Sequence, residues 1–475
     1  MPTRPKNYVL TNVSKDVING IINEGFSTNY KNYIPFTATD ADSIRAIGKI
    51  IMDSPNLRNA FATDLINRII LVTVTSKMYN NPWESLKKGV LSLGETIEEI
   101  FVNIANAELY NPNISSETVF KRRIPDIRAA FHIVNYQVKY PATISNEDLS
   151  AAFTSENGLY SLIEKIYESL VSASNYDEFN IMKYLIALNI VNGNIKAISV
   201  PAIATDANVR SVVTQIKATS NKMKFMTADY NIAGVKTHSQ HVNQTVIVTA
   251  DFDAAMDVNV LAAAFNMDKA EFLSKRLMVD SFGDIDIKRL AQCAPETCEN
   301  ITYDENGNVS SATIKGITNS QLAELAEIPA VIIDDEFIQI YDRLITMEDI
   351  RNPDGLYTNA FLHCWKIISV SPFAPAATFS DSVAAVNSVT ISPASATVVP
   401  NSEIQFNAKV SGTGFFNKSV TWTLKGANSS KTYVDVRGTV FIGADETATT
   451  ITLNAESNEN PSKVATATIT IYKGK

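Results

Sequence analysis

The chain has 475 residues, 45% apolar and 19% charged, an ordinary balance for folded protein but too long for one compact core, so two or more domains are expected. A net charge of −9 argues against holding nucleic acid by neutralising phosphates, which needs a basic stripe. Three cysteines argue against a disulfide framework.

The opening MPTRPKNYVL lacks the apolar core of a signal peptide, and the longest apolar run, around Ile69 to Val74, is far too short to span a bilayer. A chain made and kept in a cytoplasm, with no membrane partner, is expected. Helices are predicted over 40–52 and 56–68, followed by a strand-like IILVTVTS at 69–76. The period of NNPWESLKKGVLSLGETIEEIFVNI (Asn80 to Ile104) is ambiguous. Ile97, Ile100, Phe101 and Ile104 fit a helical face, while Glu98, Ile100, Val102 and Ile104 fit a strand face.

The clearest helix lies between Glu147 and Ser174, where Leu159, Leu162, Ile163, Ile166, Tyr167, Leu170 and Val171 recur at three and four and form a stripe that must be buried. Ser145 and Asp148 have the spacing of a capping box at its start. Asn175 to Asp177 predict a break, after which EFNIMKYLIALNIV continues as a second helix. Together they would make a rod of about 40 residues, roughly 60 Å at 1.5 Å per residue.

From Ala197 to Phe373 the texture is mixed. QTVIVTAD (Gln244 to Asp251) reads as a strand, and VNVLAAAFNM with KAEFLSKR as short helices. AVIIDDEFIQIYD (Ala330 to Asp342) reads as two strands joined at Asp334–Glu336, a hairpin signal. SVSPFAPAATFSDSVAAVNS (Ser369 to Ser388), rich in Pro, Ala and Ser, reads as a linker. Short alternating runs near 389–393, 404–410, 419–424, 431–442, 449–455 and 463–472, separated by turn clusters, predict a β-sandwich. Its core would centre on Trp422, Phe406, Val420 and Ile469. From Ser388 onward eight Lys/Arg face six Asp/Glu, so the acidity belongs to the preceding part, with 33 against 44.

Chemistry-bearing patterns are sparse. His238-x-x-His241 would be half a metal site, but no third ligand has a recognisable spacing. Asp251-x-Asp253, at a strand end entering a helix, reads as capping. Asp304 to Asn308 (DENGN) places Gly fourth, where a calcium loop needs it sixth, so a β-turn is expected. Cys293-x4-Cys298 has no partner pair, and Cys364 reads as a buried apolar residue. No nucleophile elbow or phosphate-binding loop is present. No catalytic residue, cofactor or metal is expected.

NNPWESLKKGVLSLGETIEEI (80–100), DVNVLAAAFNM (257–267), VIIDDEFIQIYDRLITMEDIRNPDGLYTNAFLHCW (331–365) and SVSPFA (369–374) are similar, in order and spacing, to stretches of the major capsid (head) proteins of phi-29-like short-tailed phages. The tail, with VTISPASATV, IQFNAKV, VTW and ATATITI at the expected strands, resembles a group-2 bacterial immunoglobulin-like domain. The resemblance implies an α+β chain: a Hong Kong 97-type capsid shell fold over 1–380, followed by an all-β immunoglobulin-like sandwich over 388–475. Within the shell part it implies an extended loop at 85–130, a spine helix region at 145–195 and an axial domain at 200–355. Residues between Asp284 and Glu327 are extra relative to shorter relatives and would add a surface hairpin.

The function so implied is a self-assembling major capsid protein, in hexamers and pentamers, forming an icosahedral head around double-stranded DNA. It would be located in the virion capsid, assembled in the host cytoplasm, with scaffolding and portal proteins as partners. An acidic body suits a lining along which DNA must slide. Lys87, Lys88, Arg122 and Arg123 in the extended loop are the candidate inter-subunit contacts, since an extended hairpin cannot bury its own face; a solvated charged face is the plain alternative. The outer module is expected either to make weak contacts with host-surface glycans or wall polymers or to be inert. Two other classes compete: a surface adhesin or carbohydrate-binding module, and an enzyme with an accessory binding module.

Overall fold

The computed structural model describes residues 14–24, 30–69, 79–91, 96–108, 123–153, 158–257, 275–382 and 384–472. They fall into two compact units, each drawn from several stretches of chain. The expected strand at 69–76, the helices at 258–274 and Arg122 lie essentially outside the described residues.

The first unit combines 1–97, 132–180 and 340–368. Its helices Ala41–Asp53 and Pro55–Ile69 match the sequence expectation. Asp40 starts the former with a reciprocal capping box: its carboxylate accepts the Ser43 amide at 2.8 Å, and the Ser43 hydroxyl accepts the Asp40 amide at 3.0 Å. Ile44, Ile47 and Ile51, at helical spacing, are fully buried. They share a core with Phe61 and with Ile144, Ala360, Leu362 and Cys364 of a four-stranded sheet. That sheet orders Gly89–Val90, Ile338–Asn352, Tyr357–Val370 and Tyr136–Ser145 side by side. The last two pair antiparallel in unbroken register from Tyr357↔Ser145 to Lys366↔Tyr136.

Two expectations for the helical region change. Ser145 and Asp148 do form a capping box, but on a short helix, Asn146–Ala152. The long helix is a separate element, Gly158–Val191, and it runs through Asn175–Asp177 without a break. Those polar residues find tertiary partners instead of competing with the helix backbone: the Asn175 amide donates to the Tyr79 carbonyl at 3.0 Å, and the Asp177 carboxylate accepts the Tyr140 hydroxyl at 2.8 Å. Leu159 and Leu170 of the predicted stripe are buried in the core, with Leu162 and Ile166 packed against it.

The second unit combines 98–131, 181–339 and 369–475. Its five-stranded sheet has the order Lys196–Ser199, Ala376–Ser380, Ala330–Asp334, Gln244–Thr249, Arg276–Val279. The inner pairings are antiparallel and the two outer ones parallel. Helix Asp206–Met223 packs Val209, Val212 and Ile216 against Ile332 and Phe379. The three inner strands are buried at every residue, which explains their lack of alternation.

Here the linker expectation fails. Ala376–Ser380 is an inner strand of that sheet, and Ser371, Phe373 and Ala374 before it are also buried. Small residues let both faces pack closely, and a composition that reads as flexible is in fact core. The hairpin expected at Asp334–Glu336 also fails: Ala330–Asp334 and Ile338–Asn352 are both strands, but they belong to different sheets.

Residues 287–326 form helix Ile287–Cys293, a hairpin of Cys298–Tyr303 with Val309–Ile314, and helix Asn319–Ala326. The DENGN stretch is the hairpin turn, with the Asp304 carboxylate accepting the amides of Asn306 (2.9 Å) and Asn308 (2.8 Å). Among the described residues beyond 384 the regular elements are all strands. One sheet orders Ser395–Val398, Val464–Ile471, Thr450–Ser457 and Val420–Lys425; another orders Glu403–Gln405, Thr439–Phe441 and Tyr433–Val434; and Ala385–Ser392 pairs with Asn407–Thr413. Phe406, Val440, Ile451, Leu453 and Ile469 form the core between sheets, and Trp422 packs against it. Val420 instead joins a smaller cluster with Val386, Val410 and Phe416.

Candidate assembly surface

Of the ambiguous stretch, the part whose period fitted either helix or strand is strand at Thr96–Val102, while Glu84–Leu86 before it is a short 3-10 turn. Thr96–Val102 pairs with Ile127–Ile133 in a two-stranded ribbon. Side chains alternate across a strand, and here both faces carry apolar groups. On one face Phe101 stacks on Phe373 with ring centroids 5.4 Å apart, and the Glu99 carboxylate accepts the Ser371 hydroxyl at 2.6 Å. The Arg128 guanidinium donates to the Ala233 carbonyl at 2.9 Å. The other face stays open: Ile100 is 59% exposed, Val102 55%, Phe131 65% and Ile133 59%. The sequence reading put Ile100 and Val102 on one strand face but missed that the face stays exposed and that Phe131 and Ile133 extend it. Its signal was apolar residues at the positions a solvated strand face should give to polar ones.

Three of the four basic residues singled out from sequence lie among the described residues, and their surroundings differ. Lys87 is enclosed, not presented. Its ammonium lies 2.8 Å from Asp342 and 3.1 Å from Glu178. Lys366 also pairs with Glu178 and lies 3.4 Å from Asp342, while the Asn81 amide donates to Glu178 at 2.7 Å. Two cations and two anions, from the segment before Gly89, the long helix and two sheet strands, thus neutralise one another inside the first unit. Burial by itself would lower the Lys87 pKa, but Glu178 and Asp342 outweigh it and hold it above the ordinary lysine range. Lys88 is half-buried, with its amide bonded to the Ile340 carbonyl at 2.9 Å. Arg123 is exposed and pairs with Glu108. Sequence spacing gave no hint of the cluster, since its partners lie far apart in the chain.

The other chemistry-bearing groups are dispersed. His238 and His241 are exposed, and the His241 ring lies 2.9 Å from the Ser220 hydroxyl. Asp251 and Asp253 sit in the first turn of helix Ala250–Met256, whose N-cap is Thr249; Asp253 also pairs with Arg276 at 3.0 Å. Cys293, Cys298 and Cys364 are free thiols, and burial pushes the latter two up in pKa. Among the described residues no group of three His, Cys, Asp or Glu side chains could hold a metal ion, and no helix is long and apolar enough to cross a membrane.

Comparison with known proteins gives the open apolar row and the scattered chemistry their context. The family profile described as Phi29-like phage major capsid protein matches residues 19–380. The chain belongs to the phi29-like phage major capsid proteins. It is similar to the major capsid protein of Bacillus phage B103, at 33% identity over 91% of this chain and 88% of that one. The major capsid protein of Bacillus phage PZA is 30% identical over the same shares. Among solved structures, the capsid of Staphylococcus phage Andhra aligns at 14% identity with a TM-score of 0.49, covering 66% of this chain and 86% of that chain. As a phage major capsid protein the chain forms the capsid shell, and its place is in the virion. Its relatives are structural proteins, so the features to explain are contacts.

Proposed function

We propose that this capsid protein is a Hong Kong 97-type subunit that assembles as hexamers and pentamers into an icosahedral head around double-stranded DNA, with scaffolding and portal proteins as assembly partners. The observation that carries the reading is the open apolar row Ile100, Val102, Phe131 and Ile133 on a two-stranded ribbon. A lone ribbon has no second layer of its own to cover such a face, and exposed apolar rows mark protein contacts. In a shell of identical subunits the occupant is a neighbouring copy, with Arg122 and Arg123 of the 85–130 loop at or near the same contact, while Lys87 is engaged inside its own subunit. The helix Gly158–Val191 falls in the 145–195 spine region and the five-stranded sheet draws mainly on 200–355, which supports the division of 1–380 into loop, spine and axial parts.

Introducing Asp at Ile100 and Phe131 together tests this. Particle yield should collapse while the subunit keeps its circular dichroism and thermal transition. Reversing the charges of Arg122 and Arg123 should impair assembly in the same way. Normal particle yield from the apolar double variant would defeat the reading.

Residues 388–475 are proposed as an immunoglobulin-like module on the outer surface. Sheets closed over Phe406 and Trp422 without a disulfide support that assignment. Weak contacts of such a module with host glycans would be multiplied by its many copies on one particle. The comparison that decides is retention on host cells of full-length and module-deleted particles at matched number; equal retention leaves the module a steric role.

A further inference from the structure

The long helix ends in a left-handed turn. Gly193 has φ +73°; its amide donates to the Ile190 carbonyl at 2.9 Å, and the Asn194 amide reaches back to Asn189 at 2.9 Å. These are the two bonds of a Schellman ending. With Asn192 bonded to Leu188 at 2.9 Å, the turn uses the carbonyls of 188, 189 and 190. The carbonyl of Val191 is taken by a side chain from far along the sequence, the ammonium of Lys418.

Lys418 lies in the connection between strands Asn407–Thr413 and Val420–Lys425. That connection is held within its own module. Phe415 and Phe416 are buried, the Asn417 amide donates to the Glu459 carboxylate at 3.1 Å, and the Ser419 amide donates to the Asn417 side chain at 2.8 Å. The two backbones also touch: a Cβ on Gly193 would lie 2.0 Å from the Phe416 carbonyl oxygen. Only glycine meets both that approach and the positive φ. Beside the contact opens a cleft of about 750 Å³, with Asn194, Lys196 and Asp229 among its lining residues on one side and Asn458 and Glu459 on the other.

We propose that Lys418 is a positioning residue: by capping the open carbonyl of Val191 it fixes the C-terminal β-module on the end of the long helix in one orientation, so that the module does not swing about Asp381 and Ser382. A cation at a helix C-terminus meets the negative end of the helix dipole as well as the carbonyl. Burial lowers the Lys418 pKa, so the ammonium gives up hydration to reach this position. A charge held at that cost contributes orientation more than net stability. The inference is independent of what the module touches outside the particle, and its test does not involve adsorption.

Hydrogen exchange and limited proteolysis of the full chain test it, using Lys418→Met, Lys418→Arg and Gly193→Ala. Lys418→Met should raise exchange at amides 192–195 by about tenfold, the scale of one hydrogen bond to a charged group, and speed cleavage at 381–382. Strands Thr450–Ser457 and Val464–Ile471 should keep their protection. Gly193→Ala, which attacks the contact from the other side, should act in the same direction, and Lys418→Arg should restore most of the wild-type pattern. Unchanged exchange and cleavage in Lys418→Met would overturn the proposal. So would loss of protection throughout the module, which would make Lys418 part of the module's own fold, or failure of Lys418→Arg to restore either readout.

Discussion

Lys366 and Glu178 form an ion pair with both side chains almost wholly enclosed, at 4% and 3% exposure. One comes from strand Tyr357–Val370, the other from the long helix, and Lys87 and Asp342 complete a neutral set around them. Removing one member leaves a buried charge without its balance, which costs about 3–5 kcal/mol, whereas replacing a pair by apolar groups of similar volume is often neutral. Lys366→Met should therefore lower the denaturant midpoint strongly, and adding Glu178→Leu should recover much of the loss. Equal stability of the single and double variants would mean that the cluster is not energetically coupled.

The inner strand Ala376–Ser380 leads to a paired truncation experiment. A chain stopped after Ser382 keeps the five-stranded sheet whole and should fold and form closed shells. One stopped after Ala374 loses a strand hydrogen-bonded to Lys196–Ser199 on one side and Ala330–Asp334 on the other, and should give no soluble subunit. Solubility and electron microscopy of the two products check the expectation. Shells from the shorter chain would contradict the sheet order.

The enclosed Glu446 should give the β-module an acid limit. Burial opposes its charge, but the carboxylate accepts the amides of Ala448 (2.8 Å), Asn428 (3.0 Å) and Ser429 (3.2 Å). Together with the Thr432 hydroxyl these hold its pKa down at about 2, from 4.5. A folded-state pKa below the unfolded one adds stability that is complete above about 4.5 and is lost as pH falls toward about 2. Glu446→Gln should accordingly flatten the pH dependence of module unfolding in that window, followed by Trp422 fluorescence. An unchanged slope would show that the carboxylate is not held as described.

Asp177 accepts the Tyr140 hydroxyl from within the long helix. Asp177→Ala removes a buried, charged acceptor of the Tyr140 hydroxyl and should cost about 1–3 kcal/mol. Helix content by circular dichroism should not fall, because alanine is the better helix former. A drop in helicity would show that this pairing holds the helix through 175–177.

Local and periodic features were legible in the sequence. The two early helices, the Ser145 capping box, the buried Gln244–Thr249 strand and the strand-rich tail each rest on interactions within a few residues or on a simple repeat of apolar positions. Family resemblance settled the one case that periodicity left open, the strand character of Thr96–Val102. What distant contacts decide was out of reach. Asn175–Asp177 lie inside the helix with their side chains engaged by Tyr79 and Tyr140, far away in the chain. Ala376–Ser380 is core because two strands flank it, although small residues and nearby prolines are also what a linker contains. Lys87 turns inward because Glu178 and Asp342 wait 3.1 and 2.8 Å away. A charge or a small residue carries no local mark of whether water or a partner will surround it, and the partner is brought only by the closed tertiary structure.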